Sequence, residues 1–154
     1  MYDKNYSEKE IAIFKGLISL MKKGANPYSI KVSDIAEAAN IGKGTIYDYF
    51  DTKEEVISKA IIYNMSNEIK NAFKRVKSKD NFKDRFYEVL NIIEENLENR
   101  LSTLNILLSA GGIEKFYEYL LDAEYNIREF ISVINKEIID LLNMGVKEGI
   151  INTK

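Results

Sequence analysis

Residues 32–53, VSDIAEAANIGKGTIYDYFDTK, constrain the fold of this chain more than any other segment. The pattern predicts a short helix, a tight turn and a second short helix that ends in aromatic residues. Ala36 supplies the small side chain that two closely crossing helices need. Asn40, four residues later, is the non-glycine type that best tolerates a turn with positive φ. The aliphatic residues Ile41 and Ile46 complete the spacing, which is typical of a helix-turn-helix.

The rest of the sequence has the apolar periodicity of helices almost throughout, with no strict alternation that would favour strands. We expect helices at about 8–23, 32–39, 43–50, 53–76, 81–99, 101–110, 113–123 and 125–147. A boundary near Lys53 divides the chain into a head, residues 1–52, and a body, residues 53–154. The predicted fold class is therefore all-α: a three-helix head that contains the helix-turn-helix, followed by a helical body.

Local signals mark several helix ends. Ser7 with Glu10, and Thr52 with Glu55, match the capping box, in which the first side chain and the fourth exchange hydrogen bonds with each other's backbone. Gly24 is expected to end the first helix. These signals place the helix boundaries of the head.

The composition argues against an enzyme. The chain has no cysteine and no histidine, so it lacks disulfides, thiolate nucleophiles, the commonest general base and the commonest transition-metal ligand. Carboxylate-only chemistry remains open in principle, but no constellation of residues supports it. We therefore expect no catalytic site, no metal and no cofactor. The polar N-terminus and the lack of an apolar stretch of roughly 18 residues predict a cytoplasmic protein without a membrane span.

The net charge of −2 does not by itself indicate a nucleic-acid-binding protein. Residues 1–55 hold eight lysines and nine acidic residues, and so contribute −1. A helix-turn-helix can nevertheless place its second helix in the major groove of DNA. Any DNA-binding surface must then be a local patch from which the acidic residues are turned away.

Residues 41–54, IGKGTIYDYFDTKE, resemble the recognition-helix signature of the TetR family of transcriptional regulators (TetR/AcrR type). That signature runs valine-serine-lysine-glycine-threonine-leucine-tyrosine-x-tyrosine-phenylalanine-x-serine-lysine-glutamate, and Ile35-Ala36 also match upstream. The resemblance is strong over residues 7–60 and generic beyond them. It implies a repressor that binds a near-palindromic operator in double-stranded DNA as a homodimer and is released by a small-molecule inducer. The body would then serve for ligand binding and dimerisation.

The candidate DNA contacts lie at the start of the predicted recognition helix, along it and beside it. They are Lys31, Ser33, Gly42, Lys43, Gly44, Thr45, Tyr47, Asp48, Tyr49 and Lys53. Lys43 and Thr45 suit base edges or phosphates, and Gly44 lets the backbone approach DNA closely. Tyr47 and Tyr49 cannot both face the core because they are two residues apart on a helix. Ile46 and Phe50 are expected to face the core.

Three residues depart from the family pattern. Gly42 replaces a serine and so removes a side-chain cap at small cost. Lys31 replaces a threonine or serine; it is a poor N-cap but a possible phosphate ligand. Asp48 places a negative charge between the two tyrosines, where it could accept from cytosine or repel phosphate. Gly42 and Asp48 keep open an alternative function, a helical module that binds a ligand or partner and has lost specific DNA recognition.

The sequence before Arg75 contains no arginine. Arginine paired with guanine is the commonest specific base contact. We therefore expect an operator rich in A·T pairs, read in part through thymine methyl groups and DNA shape.

The body is rich in aromatic residues, some of which could line an inducer pocket. The candidates are Tyr63, Phe86, Leu90, Ile93, Leu107, Phe116, Tyr119 and Phe130. The expected ligand is an apolar or aromatic small molecule, with cationic compounds included. A basic cluster, Lys70, Lys74, Arg75, Lys77 and Lys79, is interpreted as a solvated helix end rather than a second DNA surface.

The segment NMGVKEGIINTK, residues 143–154, resembles a glycine-x-x-x-glycine-isoleucine segment that in related regulators precedes two further helices. Those two helices usually form the dimer interface. We expect either a shortened body or a dimer that uses another surface, such as the apolar stripe of the last predicted helix.

Overall fold

The computed structural model describes residues 5–27, 29–99, 102 and 127–152, with the backbone alone at 127–130. The described residues form six helices and no strand, so the predicted all-α class is confirmed. The helices are α1 (Glu8–Lys22), α2 (Val32–Ala38), α3 (Lys43–Tyr47), α4 (Lys53–Lys77), α5 (Phe82–Glu98) and α6 (Ile127–Lys147). The helices predicted at 101–110 and 113–123 lie outside the described residues.

The two ends of α1 follow the predicted local signals. Ser7 Oγ accepts the Glu10 N–H at 3.3 Å, and the Glu10 carboxylate accepts the Ser7 N–H at 2.8 Å, so the capping box is complete. At the other end Gly24 has φ of 92°, and the Ala25 N–H reaches back to the Leu20 carbonyl at 3.1 Å. This left-handed termination satisfies carbonyls that the helix leaves open.

The predicted capping box at Thr52 is only half formed. Thr52 Oγ1 accepts the Glu55 N–H at 3.1 Å, as expected. The Glu55 carboxylate accepts the N–H of Asp51, one residue earlier, at 2.7 Å. Glu55 therefore holds the chain segment before α4 rather than the N-cap residue itself.

The core of the head lies between α1, α2, α3 and the first turns of α4. Its fully buried side chains come from all four helices and from Phe50 just after α3: Ile13, Phe14, Leu17, Ile35, Ile46, Phe50, Val56, Ile57 and Ile61. Because α4 supplies three of these residues, its start belongs to the head core, and the helix then continues into the body. The predicted boundary at residues 52 and 53 remains a prediction.

Helix α5 is joined to the C-terminal end of α6. Near its start, Phe82 packs against Gly145 of α6, where a methyl group would come within 2.9 Å of the ring. The Phe82 N–H also donates to the Glu148 carboxylate at 2.9 and 3.1 Å. No helix in the described ranges has the length and apolar character needed to cross a membrane.

The basic cluster at the end of α4 is more structured than the sequence indicated. Arg75 donates to Glu88 at 2.8 Å and to Glu95 at 2.6 Å, both in α5. Lys79 lies 3.4 Å from Glu88, and Lys77 lies 2.6 Å from Glu137 in α6. These cationic side chains stay 42–56% exposed, so they are solvated as predicted, and in addition they tie α4 to the rest of the body.

Candidate nucleic-acid interface

The turn between α2 and α3 is built around Asn40. Asn40 has φ of 54°, the only positive φ of a non-glycine residue in the described part of the chain. Its N–H donates to the Glu37 carbonyl at 3.0 Å, and the Ile41 N–H donates to the Ala36 carbonyl at 2.9 Å. These two bonds form a Schellman motif, which ends α2 and turns the chain into α3.

Helix α3 is shorter than expected, because after Tyr47 the hydrogen bonds tighten. The Asp48 N–H donates to the Thr45 carbonyl at 3.3 Å, and the Tyr49 N–H to the Ile46 carbonyl at 3.1 Å. Ile46 is 1% exposed and Phe50 is 2% exposed, so both anchor this segment in the core, as predicted. Their burial fixes which face of α3 points away from the protein.

Both tyrosines are exposed, Tyr47 at the end of α3 and Tyr49 two residues after it. Tyr47 is 51% exposed and Tyr49 is 36% exposed. Lys43, at the first position of α3, and Asp48 are also exposed. The phenol rings and the lysine are thus available to a partner outside the head.

The two glycines at the start of α3 are not required by the fold. A methyl group on Gly44 would meet no atom within 4 Å, and one on Gly42 would meet only Thr45 Oγ1, at 3.7 Å. Gly42 has φ of −71°, which any residue adopts. The two glycines leave the backbone at the start of α3 uncovered by side chains. Such a backbone can approach another molecule closely.

The remaining predicted contacts lie at the starts of α2 and α4. Lys31 and Ser33 are exposed, and Lys53 and Thr45 are half-buried. Lys31 makes no side-chain cap; its N–H donates to the Asp34 carboxylate at 3.2 Å. None of the ten candidate residues is buried, so their exposure is compatible with contact to DNA.

The first turns of α4 hold a charged pair that the sequence did not predict, with the lysine buried and the glutamate half-buried. Lys59 in α4, whose side chain is only 11% exposed, forms an ion pair with Glu55. Its ammonium group also lies 5.6 Å from the centre of the Phe50 ring. The four-residue spacing of glutamate and lysine was visible in the sequence as a helix-stabilising pattern, but such pairs are usually on the surface. Only packing shows that the lysine of this pair is buried.

Burial acts to raise the pKa of Glu55, but hydrogen bonds from Lys59 and from the Asp51 N–H outweigh it and hold the pKa below its ordinary value. The carboxylate is therefore ionised at neutral pH.

A cavity of about 380 Å³ lies in the body between α4, α5 and α6. Its wall is apolar and includes Phe73 and, from the predicted pocket, Phe86 and Ile93. Glu137 is the one charged residue among those that line it, and its carboxylate is held by Lys77. In the described ranges no cluster of acidic residues is arranged to hold a metal ion.

The other predicted pocket residues are elsewhere. Tyr63 packs on Phe14 and Tyr6 near the head, with ring centres 5.4 and 5.9 Å apart. Leu90 is 43% exposed on α5 and is not part of the cavity wall. Leu107, Phe116 and Tyr119 lie outside the described residues, as does the side chain of Phe130.

The comparisons with known proteins agree with this architecture. Residues 24–60, which span α2, α3 and the start of α4, match the family model described as bacterial regulatory proteins, tetR family. No curated protein sequence matches the chain significantly.

Among solved structures, the chain is similar to the fatty acid degradation regulator FadR from Bacillus halodurans, with a TM-score of 0.64 and 18% sequence identity. The similarity covers 96% of this chain and 72% of that protein, and at this identity it shows a shared fold. The family-model match concerns the helix-turn-helix of the head, and the shared fold extends over the head and the helical body. Residues 24–60 of the chain thus carry the helix-turn-helix segment that is characteristic of the tetR family of bacterial regulatory proteins.

Proposed function

We propose that this DNA-binding transcription regulator is a cytoplasmic repressor, which holds a near-palindromic operator as a homodimer and is released by a small molecule. The observation that carries the proposal is the outward face of α3. Together with Tyr49 just after the helix, this face combines Lys43, the exposed Tyr47 and Gly44, where a side chain would meet no other atom of the protein. A helix-turn-helix uses this face in the major groove.

Lys43 and Thr45 are proposed to reach base edges or phosphates from the N-terminal end of α3. Gly44 lets the helix backbone come close to the DNA. Tyr47 and Tyr49 donate hydrogen bonds from their hydroxyl groups to phosphate oxygens, and these bonds fix the helix in the groove.

The flanks of α3 are proposed to hold the phosphate backbone. Lys31 and Ser33 lie at the start of α2, and Lys53 opens α4, where backbone N–H groups also favour an anion. At Gly42 the backbone N–H would take the place of the serine hydroxyl usual in the family. Asp48 is the exception, because its carboxylate repels phosphate and is proposed instead to accept a hydrogen bond from the cytosine N4 amine.

A salt-titrated DNA-binding assay tests the proposal, with the operator first selected from random DNA. We expect specific binding that weakens steeply with salt and is abolished by Lys43→Ala with Tyr47→Ala. The matched control is Lys74→Ala with Tyr87→Ala, because both residues are exposed in the body and Tyr87 is 54% exposed. Equal affinity for operator and random DNA would favour the alternative, a helical module that binds a ligand or partner without specific DNA recognition.

The operator is proposed to be rich in A·T pairs, because no arginine precedes Arg75. The same selection tests this, since half-sites dominated by G·C pairs would contradict it.

The homodimer is proposed to form through the exposed apolar stripe of α6. Its members recur on one side of the helix and are 36–56% exposed: Ile131, Ile139, Leu142 and Val146. A second copy would cover them and set the two recognition helices roughly 34–36 Å apart. Sedimentation of the full chain should show a dimer at micromolar concentration and a monomer for Ile139→Glu. Lys136→Glu, an exposed position of the same helix, should remain a dimer.

The cavity between α4, α5 and α6 is proposed as the inducer site. Its apolar wall suits an apolar or aromatic compound, and a cationic group on that compound could replace Lys77 at Glu137. Because α4 runs from the head into this wall, a ligand that prefers one position of α4 would shift the population of DNA-binding conformers. A lipophilic cation should lower operator affinity in wild type and do so less in Glu137→Gln; equal effects in both would exclude Glu137 as an anchor.

A further inference from the structure

The connection between α3 and α4 is short. Residues 48–52, which we call the elbow, separate the end of α3 at Tyr47 from the start of α4 at Lys53. Helix α4 is 25 residues long and continues into the body, whereas α3 has five residues. The position of α3 relative to the rest of the protein therefore depends on two junctions, the turn at Asn40 before it and the elbow that leads to α4 after it.

Helix α3 has little support of its own. Its N-cap residue Gly42 has no side chain to bond the first turn, and five residues are too few for a stable isolated helix. Burial of Ile46 holds it from below. A second fixed point after its C-terminal end is needed to define the direction in which it points.

The pair of Glu55 and Lys59 provides such a point. The Glu55 carboxylate accepts the backbone N–H of Asp51 at 2.7 Å, inside the elbow, and also binds the Lys59 ammonium. The same ammonium lies over the ring of Phe50, at 5.6 Å from its centre. The first turns of α4 thus hold both the backbone and the buried aromatic residue of the elbow.

Burying this lysine costs more free energy than filling the same space with an apolar side chain would. Taking a lysine out of water costs free energy that its partner only partly returns, and apolar residues of similar volume are often as stabilising. The side chain of Lys59 is nevertheless 11% exposed and paired. Apolar contacts have little directional preference, whereas the hydrogen bonds of this pair are satisfied in only one geometry. The pair therefore fixes the orientation of the elbow relative to α4.

We propose that Lys59, acting through Glu55, is a positioning residue that sets the direction of the recognition helix relative to α4 and thereby the discrimination between operator and other DNA. The inference rests on the proposed DNA-binding function. It assigns no DNA contact to either residue.

The test compares the full-length wild type with Lys59→Met, Lys59→Arg and the control Lys74→Met on an exposed part of the same helix. Lys59→Met should accelerate amide hydrogen exchange in residues 48–52 and leave that of α1 unchanged. Operator affinity should fall about tenfold, as when one base contact is lost, while affinity for random DNA stays constant. Lys59→Arg should partly restore both the slow exchange of the elbow and the operator affinity. Lys74→Met should change neither.

Two results would overturn the proposal: unchanged exchange in the elbow, or equal losses of affinity for operator and random DNA with exchange accelerated throughout the head. The second pattern is that of a merely structural residue. If Lys59→Met does not fold, Glu55→Gln gives the same comparison with the charge removed and the shape kept. If wild type does not prefer its operator, the proposed function fails, and the exchange data still decide whether the pair holds the elbow.

Discussion

Gly16 of α1 lies directly against the backbone of Ala39, at the end of α2. A methyl group at Gly16 would come within 2.9 Å of the Ala39 nitrogen and 3.1 Å of the Ala38 carbonyl carbon. Both are backbone atoms next to the turn at Asn40, so neither can swing aside as a flexible side chain would. The absence of a side chain at Gly16 is therefore what lets α1 pack closely on the helix-turn-helix.

Gly16→Ala should lower the free energy of unfolding by about 1–3 kcal/mol, the usual cost of overpacking, even though alanine is the better helix former. Thermal unfolding followed by circular dichroism measures this. An unchanged midpoint would mean that α1 shifts away from Ala39 without loss.

Gly44→Ala should have the opposite effect on stability. A methyl group there meets no atom within 4 Å, so the substitution should raise the free energy of unfolding by up to about 1 kcal/mol through helix propensity. If the α3 backbone lies against DNA, the same methyl group should reduce operator affinity. A variant that is more stable and binds the operator as well as wild type would show that this backbone does not approach DNA.

Asn40→Ala should lower the free energy of unfolding by about 1–2 kcal/mol, because alanine pays a steric cost at a φ of 54°. Asn40→Gly should stay within a few tenths of a kcal/mol of wild type or be slightly more stable. Chemical denaturation of both variants gives the comparison, and equal losses would point to the asparagine side chain rather than to the backbone angle.

The stability of the head should depend on the ionisation of Glu55. Because its pKa is lowered in the folded protein, its charged form stabilises the fold, and this contribution is complete above the ordinary glutamate pKa of about 4.3. It is lost as the pH falls through the lower, folded value. The difference in unfolding free energy between wild type and Glu55→Gln should therefore shrink from pH 7 to about pH 3, as urea titrations would measure. A difference that does not vary with pH would contradict this.

The two carboxylates that bind Arg75 should contribute unequally to the free energy of unfolding. The Glu88 side chain is 10% exposed and that of Glu95 is 57% exposed, so water screens the second pair far more. A double-mutant cycle between Arg75→Met and Glu88→Gln should give a coupling energy of about 1–2 kcal/mol, larger than the cycle with Glu95→Gln. Coupling that is stronger with Glu95 would contradict this ranking, and coupling that is lost for both pairs at moderate salt would show that neither pair holds α4 to α5.

Local chemistry explains which features were predictable from the sequence. The capping box at Ser7, the left-handed glycine that ends α1 and the helix periodicity depend on residues within a few positions of one another. The burial of Ile46 and Phe50 follows from the spacing of the motif. The boundaries of α1, α2, α4 and α5 accordingly agree with the prediction to within one residue at each end.

Features that depend on contacts between distant segments were not predictable in this way. The first turns of α4 fill the head core, Glu55 turns to Asp51 rather than Thr52, and three of the five cations at the end of α4 bind carboxylates in α5 and α6. Each outcome depends on which other helix lies alongside, and no short sequence pattern encodes that neighbour.

The sequence by itself thus determined that the chain is all-helical and that it carries a TetR-type helix-turn-helix, because helix caps, turns and apolar spacing act over a few residues. Only the tertiary structure decided that Gly16 must be small, that Lys59 is buried at the elbow and that an apolar cavity lies between α4, α5 and α6. Those features arise from the packing of helices against one another. Steric exclusion and the cost of burying charge act between distant segments, so a short stretch of sequence does not reveal them.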